Sequence, residues 1–579
     1  MVKWFKNMPE WAFLMLFLGS LFIYKALIGL QGFDMLDEGW VLSAYQQIFN
    51  DPSTCEYQFL YYNALVVGGI WNMLLGSFGI YGFRILSALC SVAIAGVVYL
   101  LLRKDINRWC IFSGIWIFNL GYVMVFHHNW LTALFVAIAA LCLYKGLLSS
   151  NKWWVLLAGV VVGVNIFTRI PNVSMLALSL AFIPYYIYNK DVRTTFGLLG
   201  LAVLGVVIGA GCEVFLMNVL GHLSIFNESI LSGLSASSAS DSTHSLSNIF
   251  IVYKDDYILV FQKLTYMLSI PMYVYFANKY IQDKRYRQIM YIVAIALYVI
   301  VLWNETDLVY MIYALSYLVY ILYILKHTQD QNRIYLITIA TIILFFLPFG
   351  SDYGIGNIGE NCIWIAAPLT MGLLYEVLQE RMTSTYKLAK IFVCVFIVTM
   401  IGFSLYDTSM NAYFDHGSRL KKTARPKIEL ATTYMTPSKA QILDTLMTHL
   451  QPLVKKNDYL LCYLHIPMVN YLTETRPYLG TSLPWVYDAS NMERHFIAAQ
   501  NSITELPVIV RNKSAIKRWD IESKDWNSTS SRDQWNFNTR KIELIQQFIN
   551  DNNYHVEWEN ELFQILVVED QYTKDKLYE

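Results

Sequence analysis

The run Gln31-Gly-Phe-Asp34-Met-Leu-Asp37-Glu38-Gly-Trp40 sets three carboxylates close together just after a long apolar stretch. A carboxylate at an apolar boundary loses hydration, so its charged form needs a partner or its pKa rises. One placed this way can take a proton from a hydroxyl nucleophile. The plainer reading is an acidic, solvated loop. Further along, Phe126-His127-His128-Asn129-Trp130 offers two imidazoles and an amide. These side chains can hydrogen-bond a polar ligand or help hold a metal, or simply cap helix ends at an interface. Glu213 stands deep inside an apolar run, and an intramembrane carboxylate is a functional candidate by default. Its alternatives are a pairing with Arg169 or a neutral, structural hydrogen bond.

These residues need elements to hold them. Thirteen apolar stretches between residues 11 and 405 are candidate membrane helices, each approaching the roughly 20 residues a span requires. A fourteenth, 59–82, carries no charge. Short inside loops collect Lys and Arg. With the N-terminus inside and 59–82 not crossing, the outer loops before residue 406 hold only Arg84, Arg169 and Lys254 as basic residues. If 59–82 crosses, the asymmetry weakens or inverts. The expected fold is therefore a polytopic α-helical membrane protein of about thirteen spans. Segment 59–82 lies in or re-enters the outer face.

Composition agrees. Of 579 residues, 56% are hydrophobic and only 15% charged, against roughly 25% charged in soluble domains. This excludes a disordered chain. Eight cysteines in this length exclude a small disulfide scaffold. Cys55 and Cys462 both fall in outer regions, where a bridge is conceivable. Lys plus Arg and Asp plus Glu are each 43, so net charge is zero, which argues against nucleic-acid binding by bulk charge. The cancellation is across the membrane: inside segments are basic and outer loops acidic.

Three outer parts stand out. Loop 31–58 is acidic. Loop 221–256 contains His222, Glu228, Asp241, His244 and a Ser-rich run, SGLSASSASDSTHSLS, whose composition predicts a mobile, unpacked segment. Residues 406–579 regain frequent charges. Strand-like runs at 458–464, 506–510 and 562–568 alternate there with helix-like stretches at 438–450 and 540–550, predicting an extracytoplasmic α/β domain.

The run DEGWVLSAYQQIF, the apolar stretch ending SFGIYGF, and Arg84-Ile-Leu-Ser-Ala-Leu together resemble the start of the GT-C glycosyltransferases. The closest flavour is family 39, the protein O-mannosyltransferases and lipid A aminoarabinose transferases. The resemblance covers residues 1–175 in sequence and the remainder in layout. It implies a polyprenyl-phosphate sugar donor and transfer to an acceptor hydroxyl at the outer face, in an inverting displacement. It implies that Asp37 is the base, Glu38 orients the acceptor or a neighbouring helix, and Asp34 is the reserve candidate. Where the family often carries a Pro-Pro-Leu-Tyr-like element, this chain has Gln58-Phe-Leu-Tyr61-Tyr62-Asn63. Tyr61 is accordingly a candidate substrate contact, with His127, His128, Asn129 and Glu213. A leaving phosphate needs positive charge, and Arg169, Arg84, Lys25 and Lys263 are the candidates near the outer side. Each of these could instead snorkel to headgroups.

The chemistry requires no cofactor, and a divalent metal is compatible with it but not indicated. Expected partners are the lipid-linked donor, an acceptor lipid, glycan or protein, and the bilayer, with no nucleic acid and a monomeric chain. The expected location is the inner cell membrane, with the N-terminus cytoplasmic. A transporter or flippase for a lipid-linked glycan is the competing reading, although transporters are commonly built from internal repeats and none is evident. A third reading is an outer-face scaffold or polymer ligase.

Overall fold

A computed structural model describes residues 8–238, 245–304, 307–379, 384–513 and 539–568. Asp241 and His244 lie outside the described residues.

Each of the thirteen apolar stretches falls on a helical segment. Among the described residues, nine helical stretches are long and apolar enough to cross a membrane, and Lys152–Ile166 and Gln331–Phe346 are shorter apolar helices. Arg108–Asn119 has only 12 residues, about 18 Å of helix against a hydrocarbon core of roughly 30 Å. An integral membrane protein follows, but thirteen full spans do not.

Helices Glu10–Ile28 and Gly79–Leu102 run antiparallel. At one end Arg84 donates to the carbonyls of Gly29 and Gln31, both at 3.0 Å. At the other, Arg103 pairs with Glu10 at 2.6 Å and Arg108 donates to the Met8 carbonyl at 2.8 Å. The chain from 31 to 78 therefore starts and finishes on the same side. It forms helix Asp37–Gln47, a 3-10 stretch Pro52–Tyr61 and helix Tyr62–Leu75. Gly68 and Gly69 let the last of these press against Tyr45 and Ile48 of the first. Its Ile70, Met73 and Leu74 are exposed.

Helices Lys152–Ile166 and Val192–Val219 pack through small residues. A methyl group added at Gly159, Gly163, Gly205 or Gly209 would collide with carbonyl oxygens of the facing helix, the close approach typical of small-xxx-small pairs.

The Ser-rich loop departs from expectation. Leu223–Ser238 is a helix, and its Ser229 and Ser232 are buried. Ser232 donates to Glu56 at 3.0 Å, and its carbonyl accepts from Asn491 at 3.2 Å. Polar side chains that find partners on other elements can be buried, and composition alone does not reveal those partners.

The C-terminal region carries a hairpin, β1 (Asn411–Ala412) with β2 (Asp415–His416), and a five-stranded sheet. The sheet consists of β3 (Tyr459–Tyr463), β4 (Arg476–Pro477), β5 (Val508–Asn512), β6 (Tyr554–Glu559) and β7 (Phe563–Val568), in the order β4-β3-β5-β7-β6. β3 is parallel to β4 and β5, while β7 is antiparallel to β5 and β6. Alternation splits its side chains between two faces. Leu460, Cys462, Val510 and Ile565 join a core containing Phe33, Leu42, Tyr45 and Phe59 of the first outer loop. Leu461, Ile509 and Leu566 pack under helices Ala489–Ser502 and Thr539–Asp551. The first loop and the sheet thus share one apolar core. Cys55 and Cys462 are both buried free thiols, so no bridge joins them.

Candidate functional site

The three carboxylates of the first loop do different work. Asp34 is buried and accepts the backbone N–H groups of Leu36 at 2.9 Å and Glu38 at 2.8 Å. Through the Glu38 N–H it holds the first turn of the helix that begins at Asp37. Burial, then the charges of Asp37 and Glu38, push its carboxyl well above the usual aspartate value. Asp34 is thereby committed to the backbone, which displaces it as a reserve base.

Glu38 is closed off from solvent. Its two oxygens accept from Arg84 Nε at 2.9 Å and Nη2 at 2.7 Å, and Oε1 also takes the Val125 N–H at 2.9 Å. Glu38 thus ties helix Asp37–Gln47 to helix Gly79–Leu102. Arg84 has spent its fork on Glu38 and two carbonyls, which replaces its expected phosphate contact with a positioning role. Such planar, two-pronged pairing is what guanidinium does best.

Asp37 is the carboxylate left at the opening. It is half-buried at the first position of its helix and accepts from the Tyr413 hydroxyl on Oδ2. Burial, then Asp37 and Asp34, push the Tyr413 phenol well above its ordinary value, so Tyr413 remains a donor. The Tyr413 ring meets Tyr122 with centroids 5.1 Å apart. Asp415, buried between Lys422 (2.9 Å) and Lys439 (2.6 Å), takes the Phe33 N–H at 3.1 Å. This pins the C-terminal region to the loop that carries Asp37. Met468 donates to the Met35 carbonyl at 3.0 Å, and Gly39 admits the Met468 backbone against the helix.

Tyr122 itself is exposed beside Tyr413.

One helical turn on from Asp37 stands Trp40, whose ring is edge-on to Tyr61 at 5.8 Å. Tyr61 stacks on His128 at 4.1 Å, and the charge of Arg169 acts on both. Arg169 is 5% exposed, and its Nη1 has no hydrogen-bond partner among the described residues. A buried guanidinium with an unused donor is suited to an anion. His127 accepts the Asn129 N–H at 3.3 Å, and burial pushes it down to about 4, so it is neutral near pH 7 and acts through hydrogen bonds. Asn129 donates to Asn357 at 3.4 Å.

The remaining candidates lie elsewhere or are occupied. Lys263 is paired with Asp307 at 3.1 Å, which removes it from the phosphate set. Lys25 is buried in helix Glu10–Ile28. Glu213 is buried, and no ion pair to Arg169 is present among the described residues. Among the described residues no three His, Cys, Asp or Glu side chains converge as a metal site. A cavity of about 790 Å³ opens at the opposite end of helix Gly79–Leu102, between Glu10, Arg103, Lys104 and Trp109, away from these carboxylates.

Sequence reasoning overlooked Tyr413 and Tyr122, whose rings meet beside Asp37. Nothing local pointed to Tyr413, which reaches Asp37 from 376 residues away.

No family model and no curated protein matches this chain. Among solved structures, the crystal structure of the Archaeoglobus fulgidus oligosaccharyltransferase, a complex with zinc and sulfate, aligns over 85% of this chain and 68% of that chain. The TM-score is 0.45 and the identity 10%. At that score the likeness is loose and says nothing of this chain's chemistry.

Proposed function

We propose that this chain is an integral-membrane glycosyltransferase of the family 39 type. It moves a sugar from a polyprenyl-phosphate donor to an acceptor hydroxyl at the outer face, in a single inverting displacement. The N-terminus is cytoplasmic and residues 406–579 are extracytoplasmic. The observations that carry this reading are a half-buried carboxylate, Asp37, oriented by the Tyr413 hydroxyl, and a buried guanidinium with a spare donor, Arg169.

The acceptor oxygen attacks the anomeric carbon while its proton passes to Oδ1 of Asp37. The bond from that carbon to the phosphate oxygen breaks, and polyprenyl phosphate leaves with the electron pair. Asp37 contributes because its other oxygen is held by Tyr413, so the carboxylate is oriented before the acceptor arrives. Arg169 meets the charge that grows on the leaving phosphate, where a fixed donor in a low-dielectric site is worth most. Glu38 and Arg84 hold the loop to the head of helix Gly79–Leu102, and Asp34 holds the first turn. Tyr61 and His128 present a stacked aromatic surface beside Arg169.

The test is transfer by purified wild type in lipid vesicles. The donors are undecaprenyl phosphate carrying glucose, mannose, galactose or arabinose, and the acceptors a mixture of envelope lipids, glycans and proteins. A glycosylated acceptor together with released undecaprenyl phosphate is expected. Movement of intact lipid-linked sugar across the vesicle without any cleavage would favour the flippase reading instead.

A further inference from the structure

At its end opposite to Arg84, helix Gly79–Leu102 stops and the chain turns into helix Arg108–Asn119. The cavity of about 790 Å³ opens there, with Glu10, Arg103, Lys104, Arg108, Trp109 and Tyr375 in its lining. Its volume is that of a ligand pocket, roughly 300–1,000 Å³. Hydrogen bonds build its walls. Arg103 pairs with Glu10 at 2.6 Å, and the Tyr99 hydroxyl donates to the same Glu10 oxygen at 3.3 Å. Arg108 donates to the Met8 carbonyl at 2.8 Å and holds its guanidinium 5.1 Å from the centre of the Phe13 ring. Asn107 accepts the Trp109 N–H at 2.9 Å, which fixes the start of the short helix. Lys104 is exposed and takes no ion pair among the described residues.

We propose that this cavity binds the phosphate of an anionic glycerophospholipid. Arg103, Lys104 and Arg108 meet the phosphate, while Trp109 and Tyr375 flank the glycerol and the first part of the chains. The proposal needs no chemistry at Asp37 and stands apart from the transferase reading.

Charge selects the ligand. The lining carries three cations and one carboxylate, and Glu10 is already shared between Arg103 and Tyr99. A cationic ligand is repelled, and a neutral one gains nothing from Lys104. Arg103 spends only Nη1 on Glu10, which leaves the rest of its planar fork for phosphate oxygens. Arg108 is already held by Met8 and Phe13, so little side-chain freedom is lost when an anion arrives. Position selects a lipid over a free anion. Trp11 and Met15 of helix Glu10–Ile28 and Leu100 of helix Gly79–Leu102 are exposed apolar side chains beside the cavity's residues in sequence, the kind of surface a bilayer covers. Tyr375 is also exposed. A soluble phosphate uses the cations alone. A phospholipid uses them together with the Trp109 and Tyr375 rings, at the headgroup level where such rings collect. Basic pockets between membrane helices hold anionic headgroups in this way.

The experiment measures binding of a fluorescent phosphatidylglycerol to the purified full chain in detergent. The competitors are unlabelled phosphatidylglycerol, phosphatidylcholine with the same acyl chains, and inorganic phosphate. Wild type is expected to prefer phosphatidylglycerol over phosphatidylcholine by about tenfold or more, the scale of two or three cations at an anionic lipid. The double variant Arg103→Ala/Lys104→Ala is expected to lose that preference. The Arg103–Glu10 pair is solvent-exposed, so its removal costs little stability. Lys104→Ala alone breaks no ion pair and is expected to lose part of the preference at an unchanged thermal unfolding midpoint, which separates lost binding from lost fold. Lys152→Ala/Arg193→Ala, exposed at the heads of two other helices, is expected to keep the wild-type preference. A wild type without preference, or a preference that survives in Arg103→Ala/Lys104→Ala, overturns the proposal. Equal loss in Lys152→Ala/Arg193→Ala also overturns it, by reducing the effect to general surface charge. Displacement of the lipid by inorganic phosphate as readily as by phosphatidylglycerol overturns it too, by making this a site for a free anion.

Discussion

Arg84 grips Glu38 with two hydrogen bonds of 2.9 and 2.7 Å in a site where neither side chain exceeds 1% exposure. This pair joins the loop that carries Asp37 to the head of helix Gly79–Leu102, and Arg84 extends the join to the end of helix Glu10–Ile28 through Gly29. Removing one partner strands a buried charge. Glu38→Ala is expected to cost about 3–5 kcal/mol, read as a fall in thermal unfolding midpoint in detergent. Replacing both partners with apolar residues of similar size is expected to recover much of that stability. A single variant as stable as wild type would contradict the pairing.

Asp34 gives a pH signature. Burial and two neighbouring carboxylates raise its carboxyl well above the usual value, so the folded protein keeps a proton that the unfolded chain releases. Its contribution is fully present below about pH 4, the unfolded aspartate value. It is lost as pH rises through the raised folded value. Asp34→Asn removes that dependence and also one of the two backbone bonds, at about 1 kcal/mol. The variant is expected to be less stable than wild type in acid, with the gap narrowing toward neutrality. Parallel stability curves would argue against a raised Asp34.

Helix Leu223–Ser238 is held by Glu56, which accepts from Ser232 at 3.0 Å, Tyr487 at 2.9 Å and His495 at 3.1 Å. Glu56→Ala is expected to raise amide hydrogen exchange over 223–238 while leaving β3 and β5 protected. Exchange unchanged over 223–238 would show that the helix is held by other contacts.

Orientation is open to chemical labelling. A cysteine replacing the exposed Ser53 is expected to react with an impermeant thiol reagent in intact cells, above the wild-type background. One replacing the exposed Lys104 is expected to react only after permeabilisation. Reversal of the two patterns would invert the proposed topology.

Much of the architecture was readable from residue pattern. The runs at 458–464, 506–510 and 562–568 fall on β3, β5 and β7, because buried strands flanked by polar turns carry a local signal. β4 is two residues long and carries none. The helix at 223–238 was hidden because serine composition favours loops. Here Ser237 and Ser238 fold their hydroxyls back onto their own helix's carbonyls, and Ser232 bonds both to Glu228 and to distant Glu56. The site divides in the same way. Asp37 stood out because three carboxylates followed an apolar stretch. That Glu38 closes on Arg84 and that Tyr413 reaches Asp37 are long-range facts that local spacing does not encode.

The most direct measurement of the central claim is single-turnover transfer by Asp37→Asn beside wild type, with donor binding measured on the same samples. The amide keeps the shape of the carboxylate and cannot take the acceptor's proton. The account predicts donor binding equal to wild type and a transfer rate lower by about 10²–10⁴-fold, the scale of general-base catalysis. Transfer at the wild-type rate would contradict it and remove Asp37 as the base.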